Sequence, residues 1–120
     1  MTCRRVLIVH AAVVMRMMIR SMLIESGFEV VGEAWSGLEA LEAYRTLLPD
    51  VVTMDMVLPE MDGIAAVKAI ISEFPQAKII MCTSMGQQAL DEVIRAGAKV
   101  FITKPFQPPK LIEAIGELMR

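Results

Sequence analysis

Cysteine, histidine and aromatic side chains are scarce in this chain, and each shortage excludes something. The only two cysteines, Cys3 and Cys82, form no CxxC pattern. They cannot staple a disulfide scaffold and read as the thiols of a cytosolic protein. A single histidine, His10, lacks the paired ligand motif of a zinc site. Excess positive charge is also missing: 12 Lys and Arg stand against 14 Asp and Glu, interspersed, for a net charge of −2. No basic stripe exists to follow a nucleic-acid backbone. The apolar stretch from Val13 to Ile24 is broken by Arg16, Arg20 and Ser21, so it cannot span a membrane. Met1–Arg5 leads straight into a strand-like run, and no secretory leader is expected.

What the chain has in quantity is apolar surface. Of 120 residues, 55% are hydrophobic, enough for one compact domain over residues 1–120 with a core that needs neither disulfide nor metal. A cytoplasmic monomer is the expectation. Eleven methionines are many for this length; Met15, Met18 and Met22 recur at helical spacing, and gap-filling core packing is preferred over an adaptable target surface.

Five β-rich runs alternate with five helix-length segments. The runs are Arg5–Val9, Glu29–Ala34, Val51–Asp55, Lys78–Thr83 and Val100–Thr103. Several are almost continuous in Val, Ile, Leu and Met, as parallel strands covered on both faces are. The spacing predicts helices over about Val13–Ser26, Gly37–Leu48, Ile64–Phe74, Gln87–Ala96 and Pro109–Met119. Gly27 and Gly97 suit helix C-caps, Pro49 ends the second helix, and Ser36 with Glu39 three residues on forms a capping box. Strict alternation implies an α/β fold: a doubly wound, five-stranded parallel sheet with right-handed crossovers.

In such sheets ligands bind beyond the carboxyl ends of the strands. Strand 1 is followed by His10 and Ala11, strand 3 ends in Asp55, strand 4 in Thr83 and Ser84, and strand 5 in Thr103 and Lys104. A carboxylate, a hydroxyl pair and a lysine can therefore converge on one crevice. Each also has a plain structural reading. Thr83 and Ser84 could cap the fourth helix, and Lys104 could be a solvated loop lysine. Asp55 is less easily a helix cap, standing eight residues before the next helix.

Four segments together resemble a known family: Val6–Leu7–Ile8–Val9, Thr53–Met54–Asp55 through Pro59–Glu60–Met61–Asp62–Gly63, Cys82–Thr83–Ser84–Met85–Gly86–Gln87, and Phe101–Ile102–Thr103–Lys104–Pro105–Phe106. They are similar to two-component response regulator receiver domains, above all single-domain chemotaxis regulators of the CheY type. D-x-x-x-P-x-x-[DN]-G combined with K-P-F at this spacing is specific, and the likeness covers nearly the whole chain. It implies the flavodoxin-like strand order 2-1-3-4-5, for which CheY itself is a standard example. It further implies that Asp55 accepts a phosphoryl group from a sensor histidine kinase. Thr83 and Lys104 would contact that group, Thr83 and Phe101 would switch, and Asp55 with the Val57 carbonyl would help hold Mg²⁺. The implied target is a flagellar motor switch protein, bound through the fourth helix, fifth strand and fifth helix, where Ala89, Leu90, Val93 and Phe101 lie. No output domain is expected.

The sequence departs from the family in one place. Receiver domains carry two acidic residues directly after strand 1; here the positions hold His10 and Ala11. Three acids and a lysine would give a local charge of about −2, whereas Asp55 with Lys104 gives about zero, and the attraction for a hard divalent cation falls away. Removing two like charges also favours Asp55 as a stable anion. Weakened Mg²⁺-dependent phosphorylation is the expectation. The alternative is a receiver scaffold whose site has been altered, by natural change or by engineering. There His10 would serve an esterase-like hydrolase with Ser84, Thr83 or Cys82 as nucleophile and Asp55 as orienting acid, or would bind a softer metal such as Zn²⁺ or Ni²⁺ with Asp55.

Overall fold

A computed structural model describes residues 5–83, 90–103 and 108–118. The apolar runs become strands β1 (Arg5–Val9), β2 (Glu29–Ala34), β3 (Val51–Asp55), β4 (Ile79–Thr83) and β5 (Val100–Thr103). All pair in parallel in the order β2-β1-β3-β4-β5. Helices α1 (Val13–Glu25), α2 (Gly37–Leu47), α3 (Gly63–Glu73), α4 (Leu90–Ala96) and α5 (Pro108–Leu118) alternate with them.

Side chains alternate across the pleat, so each inner strand feeds two cores. Leu7, Val9, Val52, Met54, Ile79 and Met81 pack toward α2, α3 and α4. Val6, Ile8, Val51, Ile80 and Cys82 pack toward α1 and α5, where Ile19, Leu23, Leu111 and Ile115 meet them. Burial on both faces is why these strands read as unbroken apolar runs.

Helix ends follow local chemistry. The Ser36 hydroxyl accepts from the Glu39 backbone N–H at 3.1 Å, half of a capping box, while the Glu39 carboxylate reaches one residue further back and accepts from the Trp35 backbone N–H at 3.0 Å. Gly27 and Gly97 adopt positive φ, 89° and 112°. In each case two backbone N–H groups close back on the helix: Gly27 onto Ile24 and Phe28 onto Leu23, Gly97 onto Ile94 and Ala98 onto Val93. Both are Schellman ends, as glycine permits. Helix α3 begins one residue earlier than expected, at Gly63, because the Asp62 carboxylate caps it by accepting from the Ala65 backbone N–H at 2.8 Å. The expected start of α4 at Gln87 lies outside the described residues.

One packing expectation fails. Its spacing with Met15 and Met22 places Met18 in the core, yet it is 54% exposed, and Met17 beside it is 61% exposed. Among the described residues, no helix is long and apolar enough to cross a membrane.

Candidate functional site

The site grows from the carboxyl ends of β1 and β3. Val9 pairs with Met54, so the residues that follow, His10 and Asp55, stand side by side. Both have the parity of Ile8 and Thr53 and project on the sheet face that α1 and α5 cover. Asp55 is in register with Cys82 on β4, giving a row His10, Asp55, Cys82 across three adjacent strands. His10 is wholly buried and anchored through its backbone N–H, which donates to the Ala34 carbonyl at 3.1 Å. Its Nδ1 lies 3.7 Å from Asp55 Oδ2, and the Asp55 side chain is 17% exposed. That separation is longer than a hydrogen bond and short enough for charge to be felt.

The turn after β1 is shaped by Arg16, a residue that in the sequence merely interrupts an apolar stretch. One helical turn into α1, it folds back. Its Nη1 donates to the His10 carbonyl at 2.6 Å and to the Ala11 carbonyl at 3.2 Å, and its Nε lies 3.3 Å from Glu33 Oε1. Arg20 also holds Glu33, at 3.1 Å. The carbonyls of this turn and the carboxylate on β2 are thus occupied by guanidinium groups. No spacing rule announces such a contact, because it depends on where α1 lies over the turn.

The loop after β3 is tight for a reason visible at Gly63. A Cβ there would stand 2.3 Å from the Asp55 carbonyl oxygen and 2.8 Å from Met56 Cα, which no side chain can do. The Gly63 N–H instead donates to the Met56 carbonyl at 2.8 Å, closing the loop directly behind Asp55. This accounts physically for the glycine in the D-x-x-x-P-x-x-D-G run. Val57, two residues beyond Asp55, lies in the exposed part of this loop. Thr53, one pleat below Asp55, is fully buried, and its hydroxyl has no hydrogen-bond partner among the described residues.

The remaining candidates divide. Thr83 ends β4 opposite Thr103, at the carboxyl edge of the sheet, whereas Phe101 lies within β5 opposite Met81, two residues short of that edge. Ser84, Lys104 and Ala89 lie outside the described residues. Cys82 is completely buried in the α1–α5 core, a poor position for the nucleophile of the hydrolase alternative, and Val93 is likewise core rather than target surface.

Mg²⁺ requires near-octahedral oxygen donors, generally with carboxylates. The positions after β1 provide an imidazole and a methyl group, and the adjacent carbonyls already accept from Arg16. At the ends of β1 and β3, among the described residues, Asp55 supplies the carboxylate. These residues do not fit the ion. Nor do they make a softer-metal site: among the described residues no three His, Cys, Asp or Glu side chains are grouped to hold one.

Comparison with known proteins agrees with the geometry. Residues 6–116 match the family model described as a response regulator receiver domain. The chain is 52% identical over 118 residues to the chemotaxis protein CheY of Thermotoga maritima, covering 98% of each. It is 53% identical over 116 residues to the chemotaxis protein CheY of Bacillus subtilis, covering 96% of this chain and 97% of that one. Among solved structures, a CheX–CheY complex with BeF3 and Mg²⁺ from Borrelia burgdorferi contains a chain that superposes with a TM-score of 0.93 at 29% identity, over 97% of this chain and 89% of that one.

Proposed function

The chain belongs to the response regulator receiver family as a CheY-like domain of chemotaxis signalling, and we propose that it keeps the acceptor position while lacking the means to hold the cation. Receiver domains of the CheY type generally use Mg²⁺ for phosphorylation. Here Asp55 is the acceptor, Thr83 and Lys104 contact the phosphoryl group, and Thr83 with Phe101 carries the switch. The observation that bears most weight is the buried His10 imidazole, 3.7 Å from the Asp55 carboxylate, at a position where the family resemblance implies an acid.

Transfer to a carboxylate brings together two anions, and catalysis consists mainly of positioning them and neutralising their charge. In this chain Asp55 is held rigidly by the β3 register and by the loop closed at Gly63, so positioning survives. Neutralisation falls to Lys104 and to whatever positive charge His10 carries. With so little compensation, phosphorylation of Asp55 is slow, and binding to target depends little on phosphate.

The partners follow the family: a sensor histidine kinase upstream and, downstream, a flagellar motor switch protein or a phosphatase of the CheX kind, all in the cytoplasm. Incubation with acetyl phosphate and Mg²⁺, followed by intact mass, tests the reading. The expected outcome is little phosphorylated protein under conditions that saturate a relative with both acids. Rapid stoichiometric labelling, abolished by Asp55→Asn, would overturn it.

A further inference from the structure

Leaving aside Met1, Met85 and Met119, which lie outside the described residues, the methionines fall into three grades of exposure. Met54 and Met81 are fully buried in the core on the α2, α3 and α4 side of the sheet. Met15 and Met22 are half-buried against the α1–α5 core, and Met56 and Met61 are half-buried in the loop that follows Asp55. Met17 and Met18, by contrast, are 61% and 54% exposed. Ile19 and Leu23 fill the inward side of α1, so the core uses neither of these two thioethers.

Their placement relative to the half-buried pair is ordered. Met18 stands three residues after Met15 and four before Met22, the spacings at which side chains on a helix are neighbours. Met17, Met18 and Met22 line one shallow depression of about 540 Å³ on the outer side of α1. An oxidant entering it meets two exposed sulfurs and one half-buried sulfur. Oxidation turns a flexible apolar side chain into a polar one. At Met17 or Met18 the added oxygen is hydrated and costs the fold little. At Met15 or Met22 it would press a polar group onto the core of Val6, Ile8, Ile19 and Leu23. Helix α1 also carries Arg16, which holds the His10 and Ala11 carbonyls, so loosening the helix would loosen the turn beside Asp55.

We propose that Met17 and Met18 form a sacrificial oxidation site for hydroperoxides, one that spares the half-buried methionines of the α1 seam and of the loop after Asp55. The thioether sulfur attacks one peroxide oxygen; an S–O bond forms as the O–O bond breaks. Sulfur loses two electrons and becomes a sulfoxide. The peroxide gains them, and its other oxygen leaves as water with the proton of the transferred hydroxyl. Sulfoxide reductases, one for each epimer, return an accessible sulfoxide to the thioether, so the site can be used again.

Hydrogen peroxide treatment of the native chain, followed by peptide mapping by mass spectrometry, tests this. Met17 and Met18 should each gain an oxygen at least about tenfold faster than Met15 or Met22, while Met54 and Met81 stay unmodified as long as the chain is folded. Chain oxidised at Met17 and Met18 alone should keep the native melting midpoint, and oxidation that reaches Met15 or Met22 should lower it. The protective role is read from the double variant Met17→Leu, Met18→Leu. Leucine nearly matches methionine in volume and helix propensity, and both positions are exposed. With peroxide limiting, the fraction oxidised at Met15, Met22, Met56 and Met61 should rise in this variant by at least about half. Met17 and Met18 reacting no faster than Met22, a melting midpoint that falls as those two alone are oxidised, or a Leu variant whose half-buried methionines gain no more oxygen than the native ones would each overturn the proposal.

Discussion

Placing an acid at each of these positions, in the double variant His10→Asp, Ala11→Asp, should convert this site into one that responds to Mg²⁺. Ala11 is exposed and has room for a longer side chain, and aspartate is smaller than the imidazole it replaces at the buried position. The magnitude can be bounded from below. Two unit charges about 4 Å apart interact by about 1 kcal/mol even in bulk water, so a divalent ion gains about 4 kcal/mol from two added carboxylates. That corresponds to about a thousandfold in affinity. In a crevice that is mostly buried the gain is larger, offset by the repulsion among three acids when the ion is absent. At a Mg²⁺ concentration about a hundredfold above the dissociation constant, binding adds about 2.7 kcal/mol to stability. For a domain of this size that raises the melting midpoint by about 10 °C. Differential scanning fluorimetry against a Mg²⁺ series is the assay. The double variant should melt below the native chain without Mg²⁺ and recover as it is added, while the native midpoint stays put. A native midpoint that climbs with Mg²⁺ as steeply as the variant's would refute the reasoning, as would a folded double variant that ignores the ion.

Two further outcomes follow from the packing. Gly63→Ala forces a methyl against the Asp55 carbonyl and the Met56 backbone and should cost about 1–3 kcal/mol in urea unfolding. Gly116→Ala meets nothing within 4 Å on α5 and should stabilise by about 0.5–1 kcal/mol instead; equal effects would contradict this account of the loop. Tyr44 is the only tyrosine, so absorbance titration at high pH reads it alone. Burial first, and the Asp50 carboxylate second, hold its phenol above the usual value of 10.0. Because the folded-state value is raised, the associated stability is complete below about pH 10 and is lost as pH rises through the folded value. A native midpoint at or below that of the urea-unfolded chain would be inconsistent with a buried phenol.

Much of the fold is legible in the sequence because its signals are local. The β1, β3 and β4 runs are apolar on both faces, which only a doubly covered parallel strand requires. Ser36 with Glu39, and the glycines at 27 and 97, announce helix ends through chemistry confined to a few residues. The site is legible in part. Strand-end position alone brings His10 and Asp55 together, since their neighbours Val9 and Met54 pair directly. Arg16 is not legible: its hold on the His10 and Ala11 carbonyls depends on where α1 lies over the turn. Met18 misleads because helical periodicity gives spacing without saying which side of the helix meets the sheet. Ile19 and Leu23 occupy that side, and the Met18 line faces away. Gly63 can be read from the motif, but the reason for it, the closeness of the Asp55 carbonyl, emerges only in three dimensions.

The central claim of the proposed function is that Asp55 stands at the acceptor position without the means to hold a cation. Isothermal titration of Mg²⁺ into the native chain at neutral pH measures this directly. The account predicts no saturable heat up to about 10 mM. A one-site isotherm with a dissociation constant below about 1 mM, removed by Asp55→Asn, would contradict it.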